Sequence, residues 1–162
     1  MKSKKIVPFN KLSRRILIIK KKSKSIVLCH GCFDVLHFGH LRHFQEAKKY
    51  ADFLIVTITP DHFVNKGDDR PIFSQNHRAE LLCGLEVIDY IGINEWSSAV
   101  ETIKLIKPNY FAKGSEYEEI GQTVNPLFEL EKKALHEIGG EMLFTYEETS
   151  SSSEIVEKIK KL

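Results

Sequence analysis

Apolar positions along this chain switch between two periods, and each switch marks a change of element. Leu12, Ile16 and Ile19 recur at helical spacing behind Asn10, which predicts a short capped helix from Asn10 to about Lys22. Ile26, Val27 and Leu28 are a compact apolar run and predict a buried strand over 25–30. Helical spacing returns with Leu41, Phe44, Ala47 and Ala51, giving a helix over 38–50. Residues 52–59, carrying F-L-I-V-T-I, read as a strand covered on both faces. After a polar loop, 60–73, Ser74 caps a helix to about Glu86, and 89–93 form a third strand. Ser97 or Ser98 caps a helix that runs to Ile106 and is broken by Pro108, with a fourth strand over 109–113. A loop from Gly114 to Thr123 leads to Asn125 and Pro126, a cap and first-turn proline for a helix to about Ile138. Gly139-Gly140 end it, 141–146 form a fifth strand, and the Ser150–Ser153 run opens the last helix.

Strands alternating with helices predict an α/β protein built on a doubly wound parallel sheet of about five strands. Ligands of such sheets sit beyond the carboxyl ends of the strands. His37, Lys66, Lys113 and the serine run each follow a predicted strand, so all are expected at one edge. Length adds that a single domain with a sizeable core is expected from 162 residues. The aliphatic run Ile16–Ile19 is too short for a membrane span or a signal-peptide core, so no membrane partner and a cytoplasmic location are expected. Cys29, Cys32 and Cys83 are an odd count and are read as free thiols.

Charge changes the picture only at the start. Net charge is +2, yet ten lysines and arginines precede Asp34 and no acid does. Residues 1–24 therefore read as a basic arm with a short helix, its first seven residues disordered, ahead of a domain over 25–162. Such an arm can bind nucleic acid, but no aromatic side chain interleaves with the lysines, and a solvated helix face is the reading preferred.

The chemistry concentrates in I-V-L-C-H-G-C-F-D-V-L-H-F-G-H, residues 26–40. His37 and His40 stand three apart at a helix start, so both imidazoles can share one face over the helix N-terminal amides, where anions are attracted. Gly39 lets a ligand approach the backbone. The Walker and dinucleotide glycine motifs are absent, so phosphates would have to be held by the histidines. His43, one turn on, reads as a packed or exposed histidine. A rival reading takes Cys29, Cys32, His37 and His40 as C-x2-C-x4-H-x2-H zinc ligands; the apolar strand around Cys29 speaks against it.

H-x-G-H within G-C-F-D-V-L-H-F-G-H after a first strand resembles the motif of the nucleotidylyltransferase superfamily in its cytidylyltransferase-like form. Lys113-Gly114-Ser115-Glu116-Tyr117 is similar to a segment of the adenylyltransferase domain of bifunctional heptose kinase/adenylyltransferases. The resemblance covers residues 10–162. It implies a Rossmann-like three-layer α/β/α fold and transfer of NMP from ATP or CTP to a sugar phosphate such as a heptose 1-phosphate. Pyrophosphate would leave, Mg2+ would ride on the phosphates rather than on protein ligands, and the context would be nucleotide-sugar supply for surface polysaccharide. His37, His40 and Lys66 are the implied catalytic residues. Gly31, Cys32, Phe33, Gly39, Arg78, Lys113, Gly114, Ser150, Ser151, Ser152 and Ser153 are the implied nucleotide contacts, and Asp34, Arg70 and Glu116 the implied substrate contacts, Asp34 either shaping its loop or reaching magnesium through water. A homodimer is expected because such proteins are commonly dimers. The serine run lacks the R-T-x-G-I-S-T-T form of glycerol-3-phosphate cytidylyltransferases, which leaves a polyol-phosphate acceptor as the alternative. A nucleotide- or nucleic-acid-binding module with a basic arm is the non-enzyme alternative.

Overall fold

The computed structural model describes residues 4–67, 69–120, 126–146 and 152–161. The strands are β1 (Ile26–Gly31), β2 (Phe53–Ile58), β3 (Tyr90–Ile93), β4 (Tyr110–Gly114) and β5 (Glu141–Thr145). They form one parallel sheet in the order β3-β2-β1-β4-β5. The helices are α1 (Phe9–Lys21), α2 (Phe38–Lys48), α3 (Gln75–Cys83), α4 (Val100–Ile106), α5 (Glu116–Ile120), α6 (Pro126–Glu137) and α7 (Ser152–Lys160).

Strand pleating divides the core in two. Ile26 and Leu28 of β1 face a cluster completed by Leu12, Ile16 and Ile19 of α1, Ile103 and Ile106 of α4, and Leu135 of α6. Val27 and Cys29 face the other side, against Phe44 and Ala47 of α2 and Ala79 and Leu82 of α3. The result is a Rossmann-like α/β/α sandwich. Because β1 is central, the turn that leaves it opens in the middle of the sheet's carboxyl edge.

Residues 5–19 are not a detached arm. Leu12, Ile16 and Ile19 are buried, and each such side chain contributes about 1.5–3 kcal/mol on leaving water. Residues 5–7, expected to be disordered, extend the sheet. Val7 N–H donates to the Ile91 carbonyl at 2.9 Å and Ile91 N–H to the Lys5 carbonyl at 2.9 Å. The outer edge of β3 carries backbone groups that need partners, and this segment supplies them.

The Gly114–Thr123 loop holds the short helix α5, which the absence of a clear apolar period concealed. Ser74 caps α3 as expected, accepting from His77 N–H. At α4 the N-cap is Ala99, one residue past the serines, and its own N–H is taken by Glu131 Oε1 at 2.9 Å. A partner from α6 replaces the local cap. Pro126 opens α6 as expected, while its expected cap, Asn125, lies outside the described residues.

Candidate active site

The turn from β1 to α2 is held in a costly shape. Phe33 and Val35 have φ of 50° and 48°, left-handed values that non-glycine residues rarely adopt. Asp34 pins the turn from within. Its carboxylate is buried and accepts from Arg70 Nε at 2.9 Å, Ile72 N–H at 2.8 Å and Phe73 N–H at 3.0 Å. Burial alone would raise its pKa; the bonds from Phe73 and Ile72, with the Arg70 charge, overcome this and hold it below the usual carboxylate range. Its carbonyl accepts from Ser152 Oγ, tying α7 to the same turn. Asp34 therefore shapes its loop. With three hydrogen bonds and no exposure, it is not free to take an ion or a substrate hydroxyl.

Beyond the turn, His37 caps α2 and His40 stands one turn in. Their rings stack with centroids 3.8 Å apart. His40 Nδ1 accepts from His37 N–H at 3.4 Å, which leaves the His40 proton on Nε2 as an outward donor. Phe33 meets the His40 ring edge-on at 5.5 Å and packs on Phe44. Gly31 makes this possible, since a Cβ there would come within 3.1 Å of the Phe33 ring. Desolvation, then the neighbouring His37, His43 and Lys66, depress the His40 pKa to about 3. Desolvation and Lys66 also lower that of His37. Both rings are thus neutral at physiological pH, in a field that favours an anion.

A cavity of about 380 Å³ opens over this pair. His37, His40 and Lys66 line it together, as do Gly31, Cys32, Phe33 and Gly39 from the first turn. Lys113 and Gly114 end β4, Glu116 follows it, and Ser152 opens α7. The Glu116 carboxylate folds over Gly114, where any Cβ would lie 2.0 Å from Oε2. A second cavity of about 340 Å³ adjoins the first through His30, Cys32, Lys66 and Lys113, and carries Asn65, Ser97, Ser98 and the rings of Phe63 and Phe128.

Several expected contacts are placed otherwise. Arg78 does not line either cavity. It is fully buried, and its donors go to the carbonyls of Phe73, Cys32 and Thr59, to Cys32 Sγ and to Asp61 Oδ1 at 2.6 Å. A guanidinium has five N–H donors, so none is left for a nucleotide; the residue ties both ends of the β2–α3 connection to the β1–α2 turn. Arg70 is likewise turned inward to Asp34. The Lys113 ammonium lies 2.9 Å from Glu131 Oε2, between the Phe111 and Tyr117 rings, so its charge reaches the cavity already paired. Ser153 is exposed on α7 and lines neither cavity, while Ser150 and Ser151 lie outside the described residues.

The zinc arrangement is not formed. Cys29 is buried in β1 with its thiol pKa pushed up by desolvation, and among the described residues no group of three or more His, Cys, Asp or Glu side chains could hold a metal ion. Three residues that sequence reasoning did not select also face the cavities. His30 bonds Thr57 Oγ1 through Nδ1 at 2.9 Å, His43 bonds Thr145 Oγ1 at 2.8 Å, and Glu131 holds Lys113. The H-x2-H-x2-H spacing of 37, 40 and 43 was the available signal for His43; nothing local marked Glu131.

Neutral imidazoles at a helix N-terminus, on the carboxyl edge of a parallel sheet, form a pocket suited to an anion such as a phosphate. Residues 28–158 match the family model Cytidylyltransferase-like, and the chain belongs to that family. Among similar proteins is the "Bifunctional protein HldE" of Helicobacter pylori strain J99, 36% identical over 162 residues, covering 97% of this chain and 32% of that protein. Its namesake in Nitratiruptor sp. is 46% identical over 101 residues, 61% of this chain and 22% of that protein. The chain thus spans less than a third of these relatives. A solved structure of the lipopolysaccharide core biosynthesis protein from Thermoplasma volcanium aligns with TM-score 0.64 at 26% identity, covering 78% of this chain and 99% of that one. Pantothenate synthetase from Thermus thermophilus, at 14% identity and TM-score 0.58, shares the fold; the alignment covers 97% of this chain and 70% of that one. Among the described residues no helix is long and apolar enough to cross a membrane.

Proposed function

We propose that this protein transfers NMP from ATP or CTP to a sugar phosphate, such as a heptose 1-phosphate, and releases pyrophosphate. The stacked His37–His40 pair, both rings neutral, beside Lys66 in one cavity, is the observation that carries this reading. An acceptor phosphate oxygen attacks the α-phosphorus in line as the bond to the bridging oxygen of pyrophosphate breaks. No protein nucleophile is needed, so the protein's part is positioning and charge stabilisation. His40 donates through Nε2, and Lys66 supplies a cation, as charge builds on the phosphate oxygens. The nucleoside end lies toward Gly114, where Glu116 can accept from ribose hydroxyls. The acceptor lies toward the second cavity, whose serines, asparagine and aromatic faces suit a polyhydroxylated ring. Mg2+, if bound, would be held by the triphosphate and would neutralise part of its charge; the residues around Asp34 do not offer it a seat.

The test is pyrophosphate release with ATP and CTP crossed against sugar 1-phosphates and glycerol 3-phosphate. A sugar 1-phosphate is expected to support turnover. His40→Ala is expected to lower kcat about 10²–10³-fold, the size seen when one oxyanion donor is removed. Turnover with glycerol 3-phosphate alone would favour the polyol reading. Retained activity in His40→Ala would refute the proposed role of the pair.

A further inference from the structure

His43 is an imidazole of the first cavity to which the transfer reaction gives no part. It lies three residues beyond His40, about 4.5 Å further along α2, and faces the same cavity. Its Nδ1 side is engaged by β5. Nδ1 is 2.8 Å from Thr145 Oγ1, and that hydroxyl donates to the Lys113 carbonyl at 3.4 Å. A hydroxyl has one hydrogen to give; with that hydrogen on the Lys113 carbonyl, Thr145 accepts from Nδ1–H. Nε2 is then a bare lone pair. Desolvation, followed by the Lys113 charge, lowers the His43 pKa to about 4 and keeps the ring neutral.

This makes His43 the opposite of His40. A bare nitrogen cannot hold phosphate oxygens, which are acceptors too; it calls for a ligand N–H or O–H. A nucleotide offers two kinds, the ribose hydroxyls and an exocyclic base amine. Thr145 is the direct β-ladder partner of Gly114, over which the Glu116 carboxylate is folded. A carboxylate on that side of the cavity repels the phosphate tail and takes the hydroxyls, which leaves the amine for the imidazole.

We propose that His43 reads the base, its Nε2 accepting from the exocyclic amine of adenine or cytosine and rejecting the keto counterparts hypoxanthine and uracil. The amines at adenine N6 and cytosine N4 are both donors on the base edge, where the keto bases present an acceptor. An acceptor facing an acceptor is penalised, so discrimination is larger than one hydrogen bond. Thr145 is the positioning residue that sets the tautomer. The proposal rests on the nucleotide location given above.

Calorimetric binding of ATP, CTP, ITP and UTP to the full chain tests it, with no acceptor present. The unaltered protein is expected to bind ATP or CTP at least about tenfold more tightly than ITP or UTP, the size of one good discriminating contact. His43→Leu should reduce that ratio to near unity, mainly by weakening the amine-bearing nucleotide. His43→Gln, which restores an acceptor, should recover part of it. Thr145→Val, close in shape, should also lower the ratio by freeing the ring to protonate Nε2, and decides the matter if His43→Leu does not fold. An unchanged ATP/ITP ratio in folded His43→Leu, or a changed preference for ribose over 2′-deoxyribose instead, overturns the assignment. A failure of the sugar-phosphate assay leaves this binding result intact, and a failure here leaves the transfer reaction intact.

Discussion

Residue type alone does not say what a cation beside a cleft does. Lys66, Arg70, Arg78 and Lys113 all come from segments at the sheet's carboxyl edge, yet three of them are committed to protein partners. Arg78 shows the consequence most clearly. Its five donors satisfy three carbonyls, a thiol and a carboxylate, so Arg78→Leu leaves buried acceptors unpaired. Breaking such a buried charged group costs about 3–5 kcal/mol, and Arg78→Lys should recover little because one ammonium cannot span the fork. Urea melts of the two variants check this; a loss of nucleotide affinity at undiminished stability would contradict it.

Among the elements, α1 and the β1–α2 turn depart most from what their composition suggests. The basic charge of α1 suggests an arm, but its apolar stripe is part of the core. Leu12→Ala is expected to cost about 2–5 kcal/mol by thermal or urea denaturation. Removing residues 1–24 should therefore abolish cooperative folding, as seen by circular dichroism, whereas a detached nucleic-acid arm could be deleted without harm. The β1–α2 turn is a strained segment held in place by the Asp34 bonds. Asp34→Asn keeps the shape but loses acceptor capacity, and should lower both the urea midpoint and pyrophosphate release. Asp34→Glu keeps the charge but adds a methylene to a closed pocket, and should lower both as well. Full activity in Asp34→Glu would show that charge rather than fit is what the turn requires.

For the molecule as a whole, the buried histidines couple stability to pH. His30, His40 and His43 have folded pKa values of about 3, 3 and 4 against an ordinary 6.5, desolvation being the first cause in each. Between those values the unfolded chain binds more protons than the folded one, so stability rises with pH across that window and is fully present above about 6.5. Asp34, held below its ordinary value, acts in the same direction at lower pH. Urea midpoints should fall steadily from about pH 6.5 toward about pH 4. A flat profile would mean that the rings are not buried as neutral groups.

Chain order and local patterning were enough to give the α/β alternation, the gathering of His37, His40, Lys66 and Lys113 at one edge, and the Ser74 cap. Those features depend on periods of two and 3.6 residues and on the succession of elements, which local physics dictates. Packing alone assigned which charges stay available and which partner each ring meets. Glu131 meets Lys113 across α6 and β4, Arg78 is enclosed by the β1–α2 and β2–α3 connections, and Thr145, far along the chain from His43, meets that ring's Nδ1. Such pairings join segments that meet only when the sheet is assembled, and no short run of residues encodes them.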